Sequence, residues 1–140
     1  MRPRTFYFLS SLVLSVSSNA VAGICVGGLE DCQLVVNFEK NSAALSDEAR
    51  NRVLAFSKVL KQSNLPIGTI MVEGFTDASG SDRYNISLSE RRAHSVLMIL
   101  AEQGFDVSKF IARGYGKMRP IMSDPYDPAN RRVEVHWKSE

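Results

Sequence analysis

The chain has 140 residues, 44% hydrophobic and 23% charged, which suits one domain with a sizeable core and excludes a disordered polymer. Its 17 basic and 15 acidic residues leave a formal charge of +2. Loss of an N-terminal segment carrying Arg2 and Arg4 makes the remainder formally neutral, so neither nucleic acid nor an anionic membrane surface is an expected partner.

Residues 1–22 read as a secretory signal peptide. Arg2 and Arg4 form the positive start, Phe6 to Val16 is apolar apart from serines, and Ala20-Val21-Ala22 supplies small residues for cleavage after Ala22. The apolar run falls short of the ~20 residues of a membrane-spanning helix, so no span is expected after cleavage. A lipoprotein signal ending at Cys25 is the weaker reading, because Ile24 is bulky where such signals carry a small residue. Residues 23–32 form a lead-in with Gly27, Gly28 and both cysteines, Cys25 and Cys32. In an oxidising compartment these two close a small disulfide loop; two free thiols, or Cys25 paired with another chain, are the alternatives. Their spacing lacks the short paired motifs and histidines of a zinc site, and neither metal nor cofactor is expected.

The domain proper is expected over residues 33–140. Gln33 to Phe38 alternates as a strand. Ser46 is placed to cap a helix opening with Asp47 and Glu48, with Ala49, Val53, Phe56 and Leu60 on its buried stripe and its end near Asn64, ahead of Pro66. Ile67 to Glu73 is a second strand, closed by Gly74. Thr76 to Tyr84 reads as a polar loop, followed by a second helix that Ser87 and Glu90 open with a capping box. Ala93, Val96, Leu97 and Leu100 form its stripe, and Gly104 ends it. Ile111 to Tyr115 is a third strand. Pro120, Pro125 and Pro128 mark a loop, and Arg132 to Trp137 alternates as the last strand. The order β-α-β-α-β-β predicts an α+β two-layer sandwich, a mixed four-stranded sheet with both helices on one face.

Four motifs stand in order along this frame. Gly74-Phe75-Thr76-Asp77-Ala78-Ser79-Gly80 joins the second strand to the second helix, which opens with Asn85-Ile86-Ser87-Leu88-Ser89-Glu90-Arg91-Arg92-Ala93. Gly114-Tyr115-Gly116 precedes Pro120, and Asn130-Arg131-Arg132-Val133-Glu134 opens the last strand. With Val36 to Leu45 as an opening strand and loop, these motifs resemble those of the OmpA-like peptidoglycan-binding family, over roughly residues 34–138. The resemblance implies non-covalent binding of peptidoglycan through the diaminopimelate of its stem peptide. It implies a location in the periplasm of a Gram-negative cell envelope, and an envelope protein complex as a further partner.

The diaminopimelate side chain ends in an ammonium and a carboxylate. Asp77 is expected to accept from the ammonium, and Arg92 to grip the carboxylate bidentately. Backbone N–H groups near Thr76, Ser79 and Gly80 add donors for an anion. Ala93 selects Arg92 over Arg91, because the family's arginine directly precedes its alanine; Arg91 then points about 100° away around the helix. Of Arg131 and Arg132, one is expected to face the ligand and the other to hold the loop through an acid, with Arg132 favoured as the ligand-side residue. Asn41 and Asn85 match polar positions bordering the family's pocket. The family often has His where this chain has Phe75.

No enzyme is expected. His94 and His136 belong to no nucleophile elbow or metal triplet, and a glycosidase reading of Asp77, Asp82 and Glu90 lacks a glycan cleft. The alternative is a protein-interaction module that kept this fold and lost peptidoglycan binding, a reading prompted by Phe75.

Overall fold

The computed structural model describes residues 33–63 and 67–139. The signal segment and both cysteines lie outside the described residues. Six main elements follow in chain order: β1 (Gln33–Asn37), α1 (Asp47–Gln62), β2 (Ile67–Gly74), α2 (Asp82–Glu102), β3 (Phe110–Gly114) and β4 (Arg132–Ser139). The strands form one mixed sheet in the order β1-β4-β2-β3. β4 lies antiparallel between β1 and β2, while β2 and β3 are parallel and joined by α2, as a parallel pair requires a crossover.

Strand alternation builds the core. Leu34 and Val36, Ile70 and Val72, and Val133, Val135 and Trp137 are all buried on one sheet face. Against them pack Val53, Phe56 and Leu60 of α1 and Ala93, Val96, Ile99 and Leu100 of α2. This is the expected α+β sandwich. Within α2 the stripe differs slightly: Ile99 is buried and Leu97 is half-buried. The stripe also includes Ser89 and Arg92, which are fully buried.

The start of α2 departs from expectation. The helix begins at Asp82, with Ser81 as N-cap accepting from the Tyr84 N–H at 3.2 Å. Ser87 and Glu90 are exposed within the helix, not at its start. Ser81 followed by Asp82 meets the same physical demand as Ser87 with Glu90, a side-chain acceptor and a negative charge at the positive helix end. The earlier start is also the one that buries Asn85 and Leu88.

Two glycines set how deeply α2 lies on the sheet. Gly74 and Gly114 are register partners across β2 and β3. A Cβ on Gly74 would collide with the Ser89 carbonyl, and one on Gly114 with the Glu90 backbone N–H. The helix backbone therefore rests directly on the sheet one turn before Arg92. Ser89 fastens the contact by accepting from the Gly116 N–H at 2.9 Å.

Candidate functional site

At one end of the sheet, the loop after β1 (residues 38–46), the loop after β2 (75–81), the first turns of α2 and the approach to β4 converge on a narrow cleft. Its volume is about 10 Å³, room for about one water molecule. Asn41, Thr76, Asp77, Ser79, Asn85 and Arg92 all line it, so six of the eight expected site residues meet at one place. Lys40, Leu88 and Arg131 complete the walls.

The loop after β2 is shaped by its own polar groups. Asp77 is buried, and its Oδ1 accepts from the Ser79 N–H at 2.9 Å. Gly80 stands beside the cleft at φ +84°, a left-handed conformation that suits glycine. Its neighbour Ser79 offers its carbonyl to Asn85 Nδ2 at 2.9 Å, which ties the loop to the helix. Asn41 also holds a positive φ of 54°, tolerated by asparagine, and its Oδ1 accepts from the Tyr84 hydroxyl at 3.4 Å.

Arg92 is wholly buried, and its guanidinium is a knot between loops. Nε donates to the Ser42 carbonyl at 2.8 Å, Nη1 to the Phe75 carbonyl at 3.0 Å and Nη2 to the Glu39 carbonyl at 2.9 Å. Its Cζ lies 5.3 Å from the centre of the Phe38 ring. Of its five N–H groups, three are thus engaged with backbone, and two remain. Burial is the main cause that pulls its pKa down to about 10, aided by the nearby Arg131 charge and opposed by Asp77. It remains a cation at neutral pH.

Arg131, not Arg132, enters the cleft. Its Nη1 lies 3.3 Å from Asp77 Oδ2, and its Nε donates to the Phe38 carbonyl at 2.9 Å. Burial works against ionising Asp77, but the Ser79 and Arg131 hydrogen bonds outweigh it and hold the carboxyl below its ordinary range. The cleft is therefore a buried carboxylate beside two guanidiniums, with Lys40 at its edge.

Arg132 lies on the opposite sheet face, where parity explains its place. Val133, Val135 and Trp137 point to the core, so Arg132, Glu134 and His136 share the open face. Arg132 Nε donates to Glu134 Oε1 at 2.6 Å and Nη2 to the Arg119 carbonyl at 3.0 Å. Its guanidinium covers the Phe75 ring at 4.0 Å, and that ring stacks on Tyr115 with centroids 5.6 Å apart. The Arg119 guanidinium caps Tyr115 at 4.4 Å. Phe75 is thus one of the two inner layers of a four-layer stack outside the cleft. Its backbone alone serves the site, through the carbonyl that accepts from Arg92.

Arg91, the neighbour excluded by register, is exposed on α2. The residues that sequence reasoning underweighted are Arg131 and Lys40. Parity along β4 was the available signal for the first; nothing in the local sequence marks the second.

Comparison with known proteins agrees with this fold. The profile of the OmpA family matches residues 37–134. Outer membrane protein A of Escherichia fergusonii is 36% identical over 100 residues, covering 71% of this chain and 41% of that protein. The probable lipoprotein YiaD of Escherichia coli K12 is 36% identical over 103 residues, covering 71% of this chain and 46% of that protein. The chain thus spans less than half the length of these two relatives. Among solved structures, the OmpA-like domain of FopA1 from Francisella tularensis superposes with a TM-score of 0.70 at 24% identity, covering 99% of both chains. The peptidoglycan-associated lipoprotein of Burkholderia pseudomallei gives 0.65 at 24% identity, over 74% of this chain and 89% of that one. These two structural likenesses speak for the fold, whereas the family profile and the 36% relatives speak for descent: the chain belongs to the OmpA family.

Proposed function

We propose that this domain binds peptidoglycan non-covalently, through the diaminopimelate of a stem peptide, and so anchors itself or a partner complex to the cell wall. The observation that carries the reading is the charge arrangement of the cleft: ionised, buried Asp77 beside Arg92 and Arg131. A zwitterionic side-chain end needs an anion and cations a few ångströms apart, held where water does not screen them. In this reading the ligand ammonium replaces the Arg131 guanidinium on Asp77. The ligand carboxylate takes the two free N–H groups of Arg92, with Arg131, once released, as a second cation. Asn85, Asn41 and the backbone around Thr76, Ser79 and Gly80 border the bound end.

The role is one of binding rather than catalysis. His94 is exposed on α2, and His136 is paired with carboxylates on the other sheet face. The same cleft supports one rival. Arg131 already neutralises Asp77 and leaves little empty volume, as a protein-interaction module without peptidoglycan binding would require. Co-sedimentation of purified protein with diaminopimelate-type sacculi separates the two. Wild type should pellet and Asp77→Asn should stay in solution; wild-type protein that stays in solution favours the interaction module.

The reading also takes residues 1–22 as a cleaved signal, 23–32 as the lead-in and 33–140 as the domain, in a Gram-negative periplasm with Cys25 bonded to Cys32. Intact mass of the exported protein, with and without reductant after thiol blocking, tests this. A mature chain starting at Gly23 with no free thiol is expected; a lipidated Cys25 would overturn it.

A further inference from the structure

The open face of the sheet carries a cluster that the binding cleft does not use. Glu134 and His136 are two residues apart on β4, so they share that face. Glu73 on β2 is the direct cross-strand partner of Glu134. This places two carboxylates and one imidazole over adjacent antiparallel strands, and one donor atom from each lies within 4.8 Å of the others. His136 Nε2 is 3.0 Å from Glu134 Oε2 and 3.5 Å from Glu73 Oε2. Donors around a tetrahedral ion with bonds of ~2.0–2.2 Å stand about 3.4 Å apart, so the two distances to Nε2 are close to those of a coordination shell.

A cation sits on the outer oxygen of each carboxylate. Arg132 Nε holds the outer oxygen of Glu134 at 2.6 Å, and Arg119 Nη1 lies 3.8 Å from the outer oxygen of Glu73. The inner oxygens are left to converge on the imidazole. Partners of this kind on the far atom orient metal-ligating side chains. The two carboxylates are largely buried, at 13% and 16% side-chain exposure, while His136 is 35% exposed, so an ion has an approach from solvent.

We infer that Glu73, Glu134 and His136 form a binding site for a first-row divalent cation, Zn²⁺ foremost, with the remaining coordination position open to water. One imidazole and two carboxylates suit Zn²⁺ over Mg²⁺ or Ca²⁺, which take oxygen donors alone. Binding replaces the 3.0 Å contact between Nε2 and Glu134 Oε2 with coordination of both atoms to the metal. The arginines oppose a further cation, so the site is a weaker one than a closed structural zinc centre.

The test is titration of Zn²⁺ into the full chain carrying Cys25→Ser and Cys32→Ser, which removes thiol ligands, in a non-chelating buffer at pH 7.5. One saturable site is expected, unaffected by excess Mg²⁺. His136→Ala and Glu73→Gln should each weaken it about tenfold or more, and His94→Ala should leave it unchanged. Circular dichroism checks that each variant is folded. The zinc edge in anomalous diffraction should place the ion on the open sheet face. Absence of saturable binding, or undiminished binding by folded His136→Ala, would overturn the site and leave a histidine–carboxylate ion network only.

Discussion

Replacing Arg92 with alanine should cost the domain stability as well as any ligand. The guanidinium makes three hydrogen bonds to the carbonyls of Glu39, Ser42 and Phe75, and the side chain is wholly buried. Each charge-assisted bond contributes ~1.5–3 kcal/mol, and each buried acceptor left unpaired costs ~1–3 kcal/mol. Water entering the vacated space re-pairs part of the set, and the buried charge no longer needs compensation. The net expectation for Arg92→Ala is a loss of ~3–5 kcal/mol, a large share of a typical domain's stability. Arg92→Lys keeps the charge, but a single ammonium cannot span three carbonyls around a planar fork, so it should lose ~2 kcal/mol. Arg91→Ala should stay within ~0.5 kcal/mol of wild type, being exposed. Urea unfolding followed by fluorescence of the single tryptophan, the buried Trp137, reads all three variants. An Arg92→Ala midpoint equal to that of wild type would refute the loop-knot role.

Gly74→Ala should push α2 off the sheet, because the new methyl meets the Ser89 carbonyl, and a loss of about 3 kcal/mol in the same unfolding assay is expected; an unchanged midpoint would show that the helix does not rest on that glycine. His136→Ala, measured with chelator present, should show a pH-dependent defect. The hydrogen bond to Glu134 raises the His136 pKa against burial, so its contribution is full below the ordinary value of 6.5 and fades as pH rises through the raised one. Glu134, held at about 2 chiefly by His136, contributes fully above its ordinary 4.5 and fades as pH falls towards about 2. The defect should therefore peak between those ordinary values, near pH 5.5, and shrink by pH 9. It should not exceed ~1 kcal/mol, because His136 is a third exposed and its ion pairs are screened. A defect that grew with pH would contradict the pairing.

Much of this arrangement is legible in the sequence. Alternation at Leu34 and Val36 and at Val133, Val135 and Trp137 marks the inner sheet face, and the helical spacing of Val53, Phe56 and Leu60 marks what covers it. The burial of Arg92 follows from the same logic, since it falls on the stripe with Ser89 and Val96. Its engagement with three carbonyls does not, because those partners lie 17 to 53 residues away and depend on how the loops close. The start of α2 is hidden by two competing caps that satisfy the same end of a helix dipole, and burial of Asn85 and Leu88 decides between them. Arg131 and Arg132 are identical in type and adjacent, so type cannot assign them; strand parity can, once Val133 is placed inside. Phe75 looks like a lost ligand contact in the motif, but its ring belongs to the stack with Tyr115 and Arg132.

The central claim is that Asp77 reads a ligand ammonium, and calorimetric titration with a diaminopimelate-containing stem peptide tests it most directly. Asp77→Asn is the cleanest probe, because an amide oxygen can still accept from the Ser79 N–H while the charge is gone. Binding by wild type, and a loss of ~2–4 kcal/mol of binding in an Asp77→Asn variant shown by circular dichroism to be folded, is the result expected when an uncompensated ammonium is left in a buried site. Equal affinity of wild type and Asp77→Asn for the same peptide would contradict the claim.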